Sequence, residues 1–114
     1  MVTPAARAVV LVPFPFSDLS QAKLRPAVAL AVAGRGDWIL CQITSNPYGD
    51  AQAIVLGAES FMTGALRIVS YARPGKLFTA NHTLMVAQVG TLKAEPFTQI
   101  VEAVVTILQT ALRA

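Results

Sequence analysis

A chain of 114 residues and 12.1 kDa has room for one core and one domain. With 54% hydrophobic residues, only 13% charged ones and a mean hydropathy of +0.57, it cannot be a disordered segment. Nine Lys and Arg against six Asp and Glu leave a net charge of +3, which suits a polyanionic partner without requiring one.

In chain order, residues 9–12 form a continuous apolar run ending in Pro-Phe-Pro-Phe, which reads as a buried strand leaving its sheet at Pro13. Residues 17–24 are polar and turn-like, and predict a loop. The stretch 26–33 reads as a second strand, stopped by Gly34-Arg35-Gly36-Asp37, a sequence with hairpin chemistry. Residues 38–44 run back as a third strand, and Asn46-Pro47-Tyr48-Gly49-Asp50 is the next turn. Further short strands are expected at 53–56, 66–71, 76–79 and 84–92, with the chain broken at Pro74-Gly75. After Pro96 the period changes. Gln99, Glu102, Thr106, Gln109 and Arg113 make one polar stripe on a helix whose other positions are apolar. Short strands closely spaced by turns, then one helix, predict a mainly β fold built as a small barrel. The wide apolar arc of the helix and the shortage of charge predict burial against a second chain.

The residues able to do polar chemistry are few. Five prolines (Pro13, Pro15, Pro26, Pro47 and Pro74) keep apolar runs too short for a spanning helix. One Cys excludes an internal disulfide, and with no visible signal peptide the expected compartment is the cytoplasm. One His and scattered carboxylates argue against a zinc site or a His-based triad, so no metal or other cofactor is expected. Arg25, before Pro26, stands at the join of a loop and a strand, either as a phosphate clamp or as a solvated rim cation. Cys41-Gln42-Ile43-Thr44-Ser45-Asn46 ends a strand with amides and hydroxyls that either line a site or cap a turn. Arg73 and Lys76, flanked by Tyr71 and Phe78, either hold phosphates beside stacked bases or form an ordinary basic turn. Cys41 itself reads as an inert core thiol, and His82 as a solvated turn residue.

Four segments in order carry a resemblance. They are residues 10–28 (Val-Leu-Val-Pro-Phe-Pro-Phe-Ser-Asp-Leu-Ser, then Leu-Arg-Pro-Ala-Val), 40–46 (Leu-Cys-Gln-Ile-Thr-Ser-Asn), 70–79 (Ser-Tyr-Ala-Arg-Pro-Gly-Lys-Leu-Phe-Thr) and 89–92 (Val-Gly-Thr-Leu). Together they make the chain similar to the PemK/MazF family of toxin ribonucleases over nearly its whole length, with residues 1–114 as a single toxin domain. The resemblance implies an SH3-like barrel that dimerises, cuts single-stranded RNA at selected sequences without a metal, and is neutralised by a cognate antitoxin. It places the catalytic pair at Arg25 and Thr44. RNA contacts are expected at Phe16, Ser17, Lys23, Ser45, Asn46, Arg73 and Lys76. The implied reaction is attack of a ribose 2′-OH on the adjacent phosphorus, giving a 2′,3′-cyclic phosphate and a 5′-OH. Arg25 suits the charge growing on the phosphorane, and Thr44 a hydrogen bond to a non-bridging oxygen. Two departures stand out: Arg7-Ala8 replaces a Gly-Asp common in the family, and no acid occurs in 70–79. The competing readings are a non-enzymatic inhibitor of a protein target, as in the similarly folded gyrase poison CcdB, and an RNA-binding barrel without catalysis.

Overall fold

The apolar run at 9–12 lacks polar alternation because its strand is covered on both faces. The computed structural model describes residues 3–15 and 22–114, which form seven antiparallel strands and a C-terminal helix. The strands are β1 (Ala8–Pro15), β2 (Ala22–Gly34), β3 (Asp37–Thr44), β4 (Ile54–Leu56), β5 (Phe61–Gly64), β6 (Ser70–Asn81) and β7 (Ala87–Leu92); the helix is α1 (Ala94–Ala111). They are ordered β4-β6-β3-β2-β1-β7-β5 and curl into a nearly closed barrel.

Val9, Val28, Cys41 and Ile43 turn to one side, where Leu56, Phe61, Leu92 and Ile100 of α1 complete a core. Val10, Val12, Ala27, Ala29 and Leu40 turn to the other, under Met85 and Ala80. Leu40, Ile43, Leu56, Leu92 and Ile100 are fully buried, and each such side chain stabilises the fold by about 1.5–3 kcal/mol relative to exposure.

Several boundaries differ from the sequence expectation, each for a local reason. β1 does not leave the sheet at Pro13: Pro13 pairs with Leu24 and Pro15 with Ala22, so residues 22–24 belong to β2 rather than to a loop. Both prolines are tolerated because β1 pairs with β7 only from Ala8 to Leu11, and beyond that no strand among the described residues pairs with its outer side. Nor does Pro74-Gly75 break the chain. Between the pairs Cys41–Leu77 and Ile43–Ala72, two steps along β3 face five along β6, so residues 73–76 form a bulge within a continuing strand. The strand expected at 66–71 starts only at Ser70, and the one expected at 84–92 starts at Ala87. The β5 strand was not expected; it is a short edge strand paired to β7.

The 34–37 hairpin forms as read, with Arg35 at φ +55° and Gly36 at φ +80°, the mirror-type turn that suits twisted strands. A Cβ at Gly36 would lie 2.8 Å from the His82 ring, so the position requires glycine twice over. His82 is half-buried there, and begins a 3-10 turn (His82–Leu84) whose Thr83 N–H donates to Asn81 Oδ1 at 3.1 Å. Arg7, where the resemblance favours glycine, sits at φ +79° just before β1. The helix forms as expected except at its end: Pro96 lies in its first turn, the polar residues from Gln99 to Gln109 are exposed, α1 packs on β6 and β4, and it stops at Ala111, short of Arg113. Val105, Leu108 and Leu112 of the helix stay exposed. No helix among the described residues is long and apolar enough to cross a membrane.

Candidate functional site

Three neighbouring strands, β6, β3 and β2, bring the polar candidates to one rim of the barrel. The β2–β3 register pairs Ala27 with Gln42. Two further steps along each strand bring Arg25 opposite Thr44. Two clefts meet at this point. One, of about 420 Å³, is walled by Phe14, Gln42, Tyr48, Arg73 and Lys76; the other, of about 300 Å³, by Leu11, Pro26, Ser45, Leu66, Arg67, Ile68 and Val89. Arg25, Ile43 and Thr44 line both, so the Arg–Thr pair forms the ridge between them. The first cleft is cationic and aromatic; the second is largely apolar.

The hydroxyl of Thr44 is oriented by its own chain. Its Oγ1 accepts the backbone N–H of Asn46 at 3.2 Å. That bond occupies a lone pair and leaves the hydroxyl proton to donate elsewhere. The next link follows the same step: Asn46 Oδ1 accepts the N–H of Tyr48 at 2.9 Å, and Asp50 N–H donates to Pro47 O at 2.9 Å. The 46–50 turn is thereby tied to the end of β3.

The basic bulge is held from the same turn. Pro74 is fully buried and anchors it. Arg73 Nε donates to Asp50 Oδ2 at 3.1 Å, and its guanidinium carbon lies 5.6 Å from the centroid of the Tyr48 ring. The Gln52 backbone N–H, which donates to Asp50 Oδ1 at 2.9 Å, and the Arg73 side chain hold the Asp50 carboxyl below the usual carboxylate range. Beneath the bulge the Cys41 thiol donates to Arg73 O at 3.2 Å. Burial pushes that thiol up to about 12, well beyond the range of a reactive cysteine. On the opposite wall, Phe14 meets Phe78 edge to face at 5.1 Å.

Of the residues expected from sequence, Arg25, Thr44, Arg73 and Lys76 line the first cleft, and Ser45 lines the second together with Arg25 and Thr44. Lys23 is exposed on β2 opposite Phe14 and lines neither cleft. Asn46 also lines neither and serves the turn through its side chain. Phe16 and Ser17 lie outside the described residues. Tyr48, Asp50 and Arg67 are the residues that sequence reasoning did not single out. The visible signal for Tyr48 was a bulky aromatic in a Pro-x-Gly-Asp turn, a place that polar turn formers usually fill. Asp50 supplies, from another segment, a carboxylate beside the 70–79 stretch that lacks one. Arg67 offered no signal. Among the described residues, no three His, Cys, Asp or Glu side chains cluster as a metal site would need.

No protein-family profile matches the sequence, and no curated protein matches it. Solved structures do match. MazF in a MazE–MazF complex from Deinococcus radiodurans superposes with a TM-score of 0.75 at 18% identity, over 96% of this chain and 98% of that one. An endoribonuclease in complex with its cognate antitoxin, from a mycobacterial species, gives 0.70 at 14% identity over 96% of both chains. The Mycobacterium tuberculosis toxin MazF-mt6 gives 0.68 at 17% identity, over 90% of this chain and 97% of that one. The fold is that of the MazF toxins across nearly the whole chain: the small barrel with a terminal helix that the sequence predicts.

Proposed function

We propose that the chain is a toxin endoribonuclease that cleaves single-stranded RNA and is neutralised by a cognate antitoxin. The observation that carries this reading is the placement of Arg25 and Thr44 together on the ridge between two clefts. A phosphodiester laid across that ridge has one nucleotide in each cleft and its phosphate over the pair. The guanidinium of Arg25 holds the non-bridging oxygens, where its planar fork matches their geometry. Thr44, with Oγ1 already accepting from Asn46, donates a hydrogen bond from its hydroxyl to a non-bridging oxygen of the same phosphate. Both groups act where charge grows in the phosphorane, so they lower the barrier more than they tighten ground-state binding. The ribose 2′-oxygen forms a bond to phosphorus as it loses its proton, the P–O5′ bond breaks as O5′ takes up a proton in exchange, and the products end in a 2′,3′-cyclic phosphate and a 5′-OH.

Arg73 and Lys76 in the first cleft and Lys23 nearby on β2 give the RNA backbone a cationic track. Fold likeness to MazF chains in complex with MazE supports a cognate antitoxin as the protein partner. A homodimer fits the exposed apolar residues of α1, and would extend the track across two chains. The test incubates purified protein with a mixed RNA in EDTA and maps the new ends. Recurrent cuts leaving 5′-OH ends are expected. Intact RNA, or cleavage only after metal is restored, contradicts the reading.

A further inference from the structure

Tyr48 is 69% exposed, yet its turn is fixed by hydrogen bonds on both sides of it. It and Gly49 have φ of +53° and +70°, and Asp50 N–H donates to Pro47 O, so residues 47–50 make a mirror-type β-turn. Such a turn favours Asn at its first central position, and a bulky aromatic there is strained. The strain is held by bonds on either side, from the Tyr48 N–H to Asn46 Oδ1 and from Arg73 Nε to Asp50 Oδ2. The guanidinium of Arg73 lies over the ring and, with 69% of the residue exposed, the ring keeps an accessible face. That ring lines the same cleft as Arg25 and Thr44.

We propose that Tyr48 is a stacking platform for an unpaired nucleobase next to the cut phosphodiester, with Asp50 as the residue that positions Arg73 behind it. The proposal rests on the ribonuclease reading. The platform needs no base-specific hydrogen bond, because every base offers a π-face. Arg73 adds to it twice over. Its positive charge attracts the RNA backbone, and its position across the ring keeps the phenol from swinging away. Only Nε is used on Asp50, so the guanidinium retains further N–H donors for phosphate oxygens.

The experiment uses the full chain and a short single-stranded RNA carrying 5-iodouridine, which cross-links under light to an aromatic ring stacked on it. The cross-link is expected on the peptide containing Tyr48. Tyr48→Gly relaxes the turn and should leave the thermal midpoint at or above wild type, while KM for cleavage rises roughly ten- to a hundredfold, as loss of a stacked base requires. Tyr48→Phe keeps the ring and should stay close to wild type. Asp50→Asn should raise KM by less than Tyr48→Gly and leave kcat nearly unchanged; a purely structural role would lower the thermal midpoint without moving KM. Should Tyr48→Gly fold poorly, Tyr48→Asn, which suits the same turn, takes its place. If wild type cleaves RNA and the Gly or Asn variant cleaves it with the same KM, the platform is overturned and the ribonuclease reading stands. A cross-link elsewhere, or a variant that weakens only capture of an antitoxin segment, also overturns it. RNA neither bound nor cut by wild type removes both readings.

Discussion

Arg25 and Thr44 come from strands adjacent in the sheet, and the roles proposed for them differ in ways that mutation can separate. Arg25→Ala removes a charged donor from the transition state and should slow single-turnover cleavage by about two orders of magnitude or more. Thr44→Val removes the neutral hydrogen bond to the phosphate, together with the bond that Oγ1 accepts from Asn46 N–H, at nearly constant volume, and should cost less; a larger loss for Thr44 would contradict the assignment. Cys41 stands apart from the chemistry. With its thiol pushed up to about 12 inside the core, it should resist iodoacetamide at neutral pH until the protein unfolds. Asp50 adds a pH dependence of definite sign. Its carboxyl titrates lower in the folded chain than in the unfolded one, so its contribution is complete above the ordinary carboxylate range and is lost as pH falls through the folded value. The gap in thermal midpoint between wild type and Asp50→Asn should therefore be widest near neutrality and close in acid. A gap that persists unchanged in acid would show that the ion pair is not its cause. Arg25 and Thr44 were legible as candidates because each sits in a short local pattern, Arg before Pro and Thr in a polar strand end, and the family resemblance joined them as a pair. Asp50 was not, because its partner Arg73 lies 23 residues away and no period links them.

At the scale of elements, the strands and the helix could be read wherever apolar period and turn chemistry agreed. The 34–37 hairpin and the polar stripe on α1 are such places. Pro13 and Pro74 misled for the opposite reason: a proline ends a strand only if its missing N–H was needed. Pro13 pairs on its outer side with no strand among the described residues, and Pro74 lies in a bulge, so neither costs a ladder bond that a tertiary partner required. The β5–β7 pair shows a third kind of illegibility. Gly90 is there because a Cβ would lie 2.6 Å from Thr63 O and 2.8 Å from the Phe61 ring. Its Ala variant must push the β5 backbone away, and should lose about 1–3 kcal/mol in denaturant unfolding. An unchanged midpoint would mean that β5 does not pack as described. Arg7, at φ +79°, gives a change of the other sign. Arg7→Gly should stabilise by about 0.5–1 kcal/mol, the relief of a left-handed backbone less the added freedom of the unfolded chain.

The whole molecule combines a basic rim with an apolar flank. Between α1 and the barrel, Leu30, Ile39, Leu77, Val101, Val105 and Leu108 border a groove of about 220 Å³. Leu112 beyond it is 84% exposed, an arrangement a lone domain in water rarely leaves uncovered. A symmetric dimer covers such a flank on both copies at once. Sedimentation equilibrium at low micromolar concentration should give the dimer mass, and a single monomer species would refute the shared track. The reading of the rim does not depend on that outcome, because Arg25 and Thr44 come from one chain. Its central claim is that the RNA itself supplies the nucleophile, poised over that pair. The most direct measurement is cleavage of two RNAs that differ by one oxygen, the 2′-OH at the mapped cut. The unmodified strand should be cut to a cyclic phosphate and a 5′-OH, and the 2′-deoxy strand should survive intact; cleavage of both at the same rate would contradict the account.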